Sequence, residues 1–155
     1  MLKNLGIDQK ILQFVIRTST DMAEEGEGVP FTMISLTKKG VIIATPVSDI
    51  PMESMFEIVA RPILQHIQAI WCIIVVEMWY VEGKESRSRV DSGVSITDLP
   101  LDDRKNMLLI GICKKSGESR FIAAEIYNTP QGKKVQRWEE WKNVAHLDNL
   151  VLKGW

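Results

Sequence analysis

One stretch in the middle of the chain limits the possible folds more than any other feature. Residues 70–81 read IWCIIVVEMWYV, and successive side chains of a β-strand point to opposite faces. Both faces of this strand are therefore apolar, except where Glu77 falls on the same face as Trp71 and Trp79. A strand with two apolar faces needs cover on both sides. We expect two helices to pack on one face, and the C-terminal segment, a second subunit or a ligand to meet the other.

The N-terminal part of the sequence predicts a helix followed by a hairpin. Apolar residues recur at helical spacing from Ile7, and Gly26 ends this pattern. Residues 29–37 and 41–45 are rich in β-favouring side chains, and the Lys-Gly pair between them can form a tight turn. The first elements are therefore a helix and two antiparallel strands.

A second amphipathic helix follows the hairpin, with Ser48 or Asp49 as its cap. It contains Pro62, and an interior proline removes a hydrogen bond and crowds the preceding turn. The helix therefore either kinks near Ile58 or restarts with Pro62 in its first turn.

The C-terminal half begins with a polar segment and continues as strands. Residues 82–104 show no sustained periodicity and predict a long loop. Residues 107–113 and 120–127 predict a hairpin with its turn at 116–117, and residues 133–138 predict a last strand.

Together these elements predict one α+β domain over residues 1–155. We expect an antiparallel sheet of about five to six strands in the order α-ββ-α-βββ(β), a topology shared with profilin-like and roadblock-like scaffolds. The hydrophobic fraction of 45% and the charged fraction of 25% are those of a globular protein, and argue against disordered and membrane classes. The net charge of −1 gives no overall field that would attract nucleic acid or an anionic membrane.

Two observations predict a cytoplasmic protein. The longest apolar run, at residues 69–76, is too short to span a bilayer. The apolar stretch near the N-terminus is interrupted by Gln13 and Arg17, so it lacks the core of a secretory signal. In this compartment we expect Cys72 and Cys113 to be free thiols within apolar strands, with a cross-strand disulfide as the alternative.

Glu77 is the most unusual residue because it is a carboxylate within an apolar strand. Burial would raise its pKa, as in a general acid or base. Alternatively, it pairs with Arg104 or Arg120 in a structural bridge, or emerges at the sheet edge.

Glu125 is the analogous residue of the C-terminal hairpin. A two-residue turn would place it opposite Leu108. If Glu77 and Glu125 share one face of the sheet, two carboxylates could do acid and base work at a suitable separation.

The sequence offers no recognisable metal or cofactor motif. His66 and His146 have no neighbours at the spacing of metal ligands, so we expect no metal site. A nucleophile elbow, a Walker loop and a dinucleotide-binding glycine pattern are all missing, so we expect no cofactor. These absences favour a binding protein over an enzyme.

A set of basic and aromatic residues could contact single-stranded nucleic acid or nucleotides. The set contains Arg87, Arg89, Lys133, Lys134, Arg137, Lys142, Trp138 and Trp141. Glu139 and Glu140 dilute its charge, so solvated surface residues are the alternative explanation.

Short motifs follow the central strand. The sequence VEMW ends that strand at 76–79, Leu99-Pro100 is followed by Asp103-Arg104, and Glu125-Ile126 precedes Gly132. On these motifs, residues 40–134 resemble a loosely defined family of small uncharacterised bacterial and phage proteins, in which the strand ends in Glu-x-Trp and the loop closes with Pro-x-x-x-Arg.

The resemblance implies a microbial or viral origin and carries no assigned activity. It makes Glu77, Trp79 and Arg104 neighbours worth testing. Members usually carry a carboxylate soon after the arginine, where this chain has Lys105 and Asn106, so an acidic site assembled there is not expected.

The sequence therefore predicts a non-enzymatic binding or interaction protein that forms a homo-oligomer. The candidate binding residues are Trp79, Arg104, Arg87 and Arg89. The first alternative is a small hydrolase or nucleotide-processing enzyme that uses Glu77 and Glu125, assisted by Arg104. The second is an accessory protein that binds nucleic acid through the basic residues.

Overall fold

The computed structural model describes residues 6–26, 28–40, 42–46, 56–141 and 154–155. The helices and strands are α1 (Gln9–Glu25), β1 (Thr32–Thr37), β2 (Ile42–Pro46), a π-helical turn (Phe56–Ala60), α2 (Arg61–His66), β3 (Ala69–Val81), α3 (Lys84–Asp91), β4 (Arg104–Lys114), β5 (Ser119–Thr129) and β6 (Gly132–Trp141). The strands form one antiparallel sheet in the order β2-β1-β3-β4-β5-β6. The predicted α+β class, the antiparallel sheet and the element order are confirmed.

The first two helices lie on opposite faces of the sheet, whereas the sequence predicts both on one face. Helix α1 buries Leu12 in a core with Trp71, Ile73 and Val75 of β3. Helix α2 buries Leu64 in a separate core with Cys72 and Ile74. Each helix has one apolar stripe and β3 has two apolar faces, so this division covers both. We call the two sides of the sheet the α1 face and the α2 face.

The ends of α1 follow the predicted pattern. Before its first turn, the Asp8 side chain accepts a hydrogen bond from the main-chain N–H of Lys10 at 2.9 Å. After its last turn, Gly26 adopts the left-handed conformation with φ 80° and reverses the chain toward β1.

The second helix restarts at its proline, which is one of the two predicted outcomes. The π-helical turn runs directly into α2, and Pro62 lies in the first turn of α2, where its missing N–H costs no hydrogen bond. Ser48 and Asp49, the predicted caps, lie outside the described residues.

Residues 82–104 are more ordered than the predicted long loop. They form α3 and two single turns of 3-10 helix, Ile96–Asp98 and Leu101–Asp103. The Ser86 hydroxyl donates a hydrogen bond of 3.0 Å to the carboxylate of Asp103, the last residue of the second 3-10 turn. This bond ties α3 to the start of β4. Helix α3 is polar with one small buried residue, so hydrophobic periodicity gave no sign of it.

The hairpin between β4 and β5 differs from the prediction by one residue. Its turn holds residues 115–117, where Gly117 has φ 98°, instead of two residues. Glu125 therefore lies opposite Met107 and not Leu108. A shift of one residue moves a side chain to the other face of the sheet, so the register places Glu125 on the α2 face.

Cys72 and Cys113 are both buried and form no disulfide bond, as predicted. Cys72 of β3 and Cys113 of β4 lie directly opposite each other on the α2 face.

Candidate functional site

Two of the predicted binding residues meet on the α1 face, at the end of the sheet where β3 stops and β4 begins. Trp79 lies opposite Asn106, and Val81 lies opposite Arg104. The guanidinium carbon of Arg104 is 4.8 Å from the centroid of the Trp79 ring, within the range of a cation–π contact. Trp79 is 40% exposed, which is unusual for a large aromatic residue at the end of a buried strand. The predicted proximity of Trp79 and Arg104 is therefore present.

Arg104 has an unsatisfied hydrogen-bonding group. Its Nε is buried and has no acceptor, and no ion pair joins its guanidinium to any described residue. Arginine remains charged at all physiological pH values, and burying one of its N–H donors without an acceptor costs free energy of folding. The group is therefore suited to an acceptor from outside the chain.

A recess surrounds Trp79, and we call it the Trp79 recess. It has two adjoining compartments that share Trp79, Asn106 and Lys133. The helix-side compartment, of about 670 Å³, is also lined by Met22, Gly28, Val29, Pro30, Glu77 and Met78. The strand-end compartment, of about 620 Å³, is also lined by Leu101, Asp102, Arg104, Lys105, Glu125, Ile126, Tyr127 and Asn128. Each compartment has the volume of a small-molecule site.

Glu77 is a structural acceptor at the inner wall of the recess. One carboxylate oxygen accepts the main-chain N–H of Val29 at 2.9 Å, and the other accepts the Asn106 side-chain amide at 2.8 Å. The predicted bridge to Arg104 or Arg120 is not formed, because a main-chain donor and an amide already occupy both oxygens. Glu77 therefore ties the segment after α1 to the sheet.

Glu125 lies on the opposite face from Glu77, so the predicted pair of carboxylates on one face is not formed. The Tyr127 hydroxyl donates to Glu125 at 2.8 Å, and Lys105 lies 3.9 Å from the same oxygen. The hydrogen bond to Glu125 raises the pKa of Tyr127. The pKa of Lys105 is also raised, chiefly by its hydrogen bond with Glu82. These contacts form a polar network at the end of the sheet.

The other two predicted binding residues do not line the recess. Arg87 donates to the Tyr80 hydroxyl at 2.9 Å, and its guanidinium lies 5.8 Å from the centroid of that ring. Tyr80 belongs to the α2 face. Arg89 lies in the last turn of α3. Of the four predicted binding residues, Trp79 and Arg104 therefore line the recess, whereas Arg87 and Arg89 do not.

Lys133 is the cation that sequence reasoning did not assign to this site. It belongs to β6 and lies opposite Asn128 of β5, and both residues line the strand-end compartment. In the sequence, Lys133 is only one member of the predicted basic and aromatic set. Its proximity to Trp79 follows from the strand order.

The predicted basic and aromatic surface is divided between the two faces. Trp138 packs against the α1 core and Trp141 against the α2 core. Lys134 lies 3.9 Å from Glu24, and Arg137 lies over the Tyr127 ring. Within the described residues these side chains form no continuous stacking surface, and Lys142 lies outside them.

Two further findings concern the described residues only. None of their helices is long and apolar enough to cross a membrane. They contain no group of three or more His, Cys, Asp or Glu residues that could hold a metal ion. His146 lies outside the described ranges.

No protein-family model, curated protein or solved structure matches this chain.

Proposed function

We propose that this chain is a non-enzymatic binding protein that holds a small anionic ligand in the Trp79 recess. The observation that carries the proposal is Arg104, which is stacked on Trp79 with a buried Nε that has no acceptor. A carboxylate or phosphate oxygen would supply that acceptor, and a charge-assisted hydrogen bond of this kind is stronger than one between neutral groups.

The charges of the strand-end compartment support an anion. Lys133 provides a second cation, and it has no ion pair among the described residues. Glu125 is already engaged by Tyr127 and Lys105. Asp102, which is exposed, is the other acidic side chain of this compartment, and its charge opposes an anion there.

The contacts of Glu77 favour binding over catalysis. A general base needs a lone pair directed at the substrate, whereas both Glu77 oxygens accept hydrogen bonds from the chain itself. Glu77 lines only the helix-side compartment, and Glu125 lines only the strand-end compartment from the other face of the sheet, so the two carboxylates do not share one compartment. A hydrolase that uses this pair is therefore the weaker proposal.

Isothermal titration calorimetry with inorganic phosphate at constant ionic strength tests the proposal. We expect saturable binding to the intact protein and at least about a tenfold loss of affinity in Arg104→Gln and in Lys133→Met, because each variant removes a charged donor. Arg89→Gln is the matched control, since Arg89 lies on α3 away from the recess. Equal phosphate affinity in all four proteins would contradict the proposal.

Self-association is a separate proposal, and it has less support than anion binding. The prediction of a homo-oligomer depended on an uncovered apolar face of β3, and helices α1 and α2 now account for one face each. A cytoplasmic location and a microbial or phage origin likewise remain predictions from the sequence.

A further inference from the structure

We infer that the ligand of the Trp79 recess is a mononucleotide whose base carries N–H donors, with the base in the helix-side compartment and the phosphate in the strand-end compartment. This inference depends on the proposed function, because it identifies the class of anion that the recess holds. It is drawn from three properties of the recess: the position of the aromatic ring, the donors and acceptors beside it, and the placement of the cations.

The ring of Trp79 offers a stacking surface beside an apolar wall. Arg104 lies over the ring and lines only the strand-end compartment. Trp79 is 40% exposed and lines the helix-side compartment together with the apolar side chains of Met22, Val29 and Pro30. A flat heterocycle can stack on an indole ring and pack against neighbouring aliphatic side chains, and stacking of a base on an aromatic residue contributes about 1–3 kcal/mol.

Asn106 offers a hydrogen-bond acceptor beside this stacking surface. The Glu77 carboxylate can only accept hydrogen bonds when it is ionised, so the Asn106 side chain must point its NH₂ group toward it. That orientation leaves the Asn106 carbonyl oxygen as an acceptor at the boundary of the two compartments. A ring with exocyclic or ring N–H donors, as in adenine, guanine or cytosine, matches this carbonyl acceptor.

Both cations of the recess line the strand-end compartment. Arg104 lines the strand-end compartment, and Lys133 lines both. A phosphate monoester carries close to two negative charges at neutral pH, which matches two cations that have no ion pairs among the described residues. The recess therefore has one end for a base and one end for a phosphate.

A free mononucleotide fits this arrangement better than a strand of nucleic acid does. Single-strand binding uses successive aromatic residues along one groove. Within the described residues, Trp138 and Trp141 belong to opposite cores of the sheet and do not continue the stack from Trp79.

Calorimetry with adenosine, guanosine and cytidine 5′-monophosphates, compared with ribose 5-phosphate, tests the inference. We expect at least one nucleotide to bind about tenfold more tightly than ribose 5-phosphate, because stacking adds to the phosphate contact. If ribose 5-phosphate binds as well as all three nucleotides, the inference is overturned while the anion site stands. If no phosphate compound binds, the proposed function fails as well.

Two variants locate the binding of the base. In Trp79→Leu, the tightest nucleotide should lose most of its advantage over ribose 5-phosphate. Phe14→Leu is the matched control, because Phe14 is a 68% exposed aromatic residue of α1 that does not line the recess. An unchanged advantage in Trp79→Leu, with a folded circular-dichroism spectrum, would overturn the inference.

A single-stranded oligonucleotide distinguishes a site for a free mononucleotide from a site for a strand of nucleic acid. We expect a single-stranded decamer to bind no more tightly per site than the mononucleotide of the same base. Much tighter binding of the decamer that weakens steeply with salt would overturn the inference in favour of a nucleic-acid ligand.

Discussion

The guanidinium carbon of Arg104 lies 4.8 Å from the centroid of the Trp79 ring, although the two residues are 25 positions apart in the sequence. Antiparallel pairing of β3 with β4 creates this contact by placing Trp79 opposite Asn106 and Val81 opposite Arg104. The contact places a planar cation against the Trp79 ring in the strand-end compartment. A lysine would keep the charge but would lose the planar arrangement of donors.

Removal of the exposed acidic side chain of Asp102 should strengthen anion binding. Asp102 lines the strand-end compartment, and its charge repels an anion bound at Arg104 and Lys133. We expect Asp102→Asn to raise the affinity for inorganic phosphate about two- to fivefold at low ionic strength, with a smaller effect at high salt. Calorimetry measures the change, and Asp98→Asn is the control because Asp98 does not line the recess. Weaker binding in Asp102→Asn would contradict the proposed site.

Loss of the Glu77 carboxylate should destabilise the fold. In Glu77→Ala the buried N–H of Val29 loses its acceptor, which costs about 1–3 kcal/mol of the free energy of unfolding. Urea denaturation monitored by circular dichroism gives this value. Glu118→Ala is the control, because Glu118 is 52% exposed in its pair with Lys114 and such pairs contribute less than about 1 kcal/mol. Equal losses in the two variants would show that Glu77 is not a structural acceptor.

The outer edge of β6 is blocked by a side chain from α1. The Glu24 carboxylate accepts the main-chain N–H of Val135 at 3.1 Å, and the left-handed Arg137, with φ 63°, interrupts regular pairing further along. Unpaired strand edges template aggregation, and such features prevent it. We expect faster hydrogen exchange of the Val135 amide in Glu24→Ala, whereas Glu24→Gln keeps an acceptor oxygen and should preserve the protection. Fast exchange of the Val135 amide in both variants would contradict this role, and so would protected exchange in both.

The stability of the protein should fall in mildly alkaline solution because of one buried thiol. Burial raises the pKa of Cys72 above its ordinary value of 9.0, and the neighbouring Cys113 raises it further. Above about pH 9 the unfolded chain loses the proton that the folded chain keeps, so the free energy of unfolding decreases by up to about 1.4 kcal/mol per pH unit. Below that pH the contribution is complete.

Urea denaturation between pH 8 and 10 under reducing conditions measures this slope. Cys72→Ala should have a shallower slope than the natural sequence, whatever the change in its absolute stability. Tyr127 and Lys105 also have raised pKa values, but their ordinary values of 10.0 and 10.5 place their effects at higher pH. An identical slope in the two proteins would refute the effect of Cys72.

The part of the fold that could be predicted is the part that depends on local pattern. The alternation through 70–81 fixes a strand with two apolar faces, and the glycine and proline positions fix where α1 ends and α2 restarts. Which helix covers which face depends on tertiary packing, which leaves no trace in the periodicity. Helix α3 has no apolar stripe, and it is held by the hydrogen bond from Ser86, a contact between distant residues.

The candidate site was predictable only in part for the same reason. Trp79 and Arg104 stand out as residues at a strand end and a loop end, and the pairing of consecutive strands brings them together. Lys133 joins them across β5, which requires the complete strand order. The face of the sheet that carries Glu125 depends on the length of the turn between β4 and β5. The turn at 115–117 has three residues instead of two, and this difference moves the carboxylate to the other face.

The proposed function depends on one hydrogen bond. The buried Nε–H of Arg104, whose guanidinium is stacked on Trp79, donates this bond to the bound anion. Nuclear magnetic resonance can follow that Nε–H directly in a titration with inorganic phosphate at constant ionic strength, with Arg104→Lys identifying the signal. We predict a saturable downfield shift of the Arg104 proton with the same midpoint as the calorimetric titration, while the Nε–H of Arg89 barely moves. A shift at Arg104 that is linear in phosphate concentration and no larger than that at Arg89 would contradict the account.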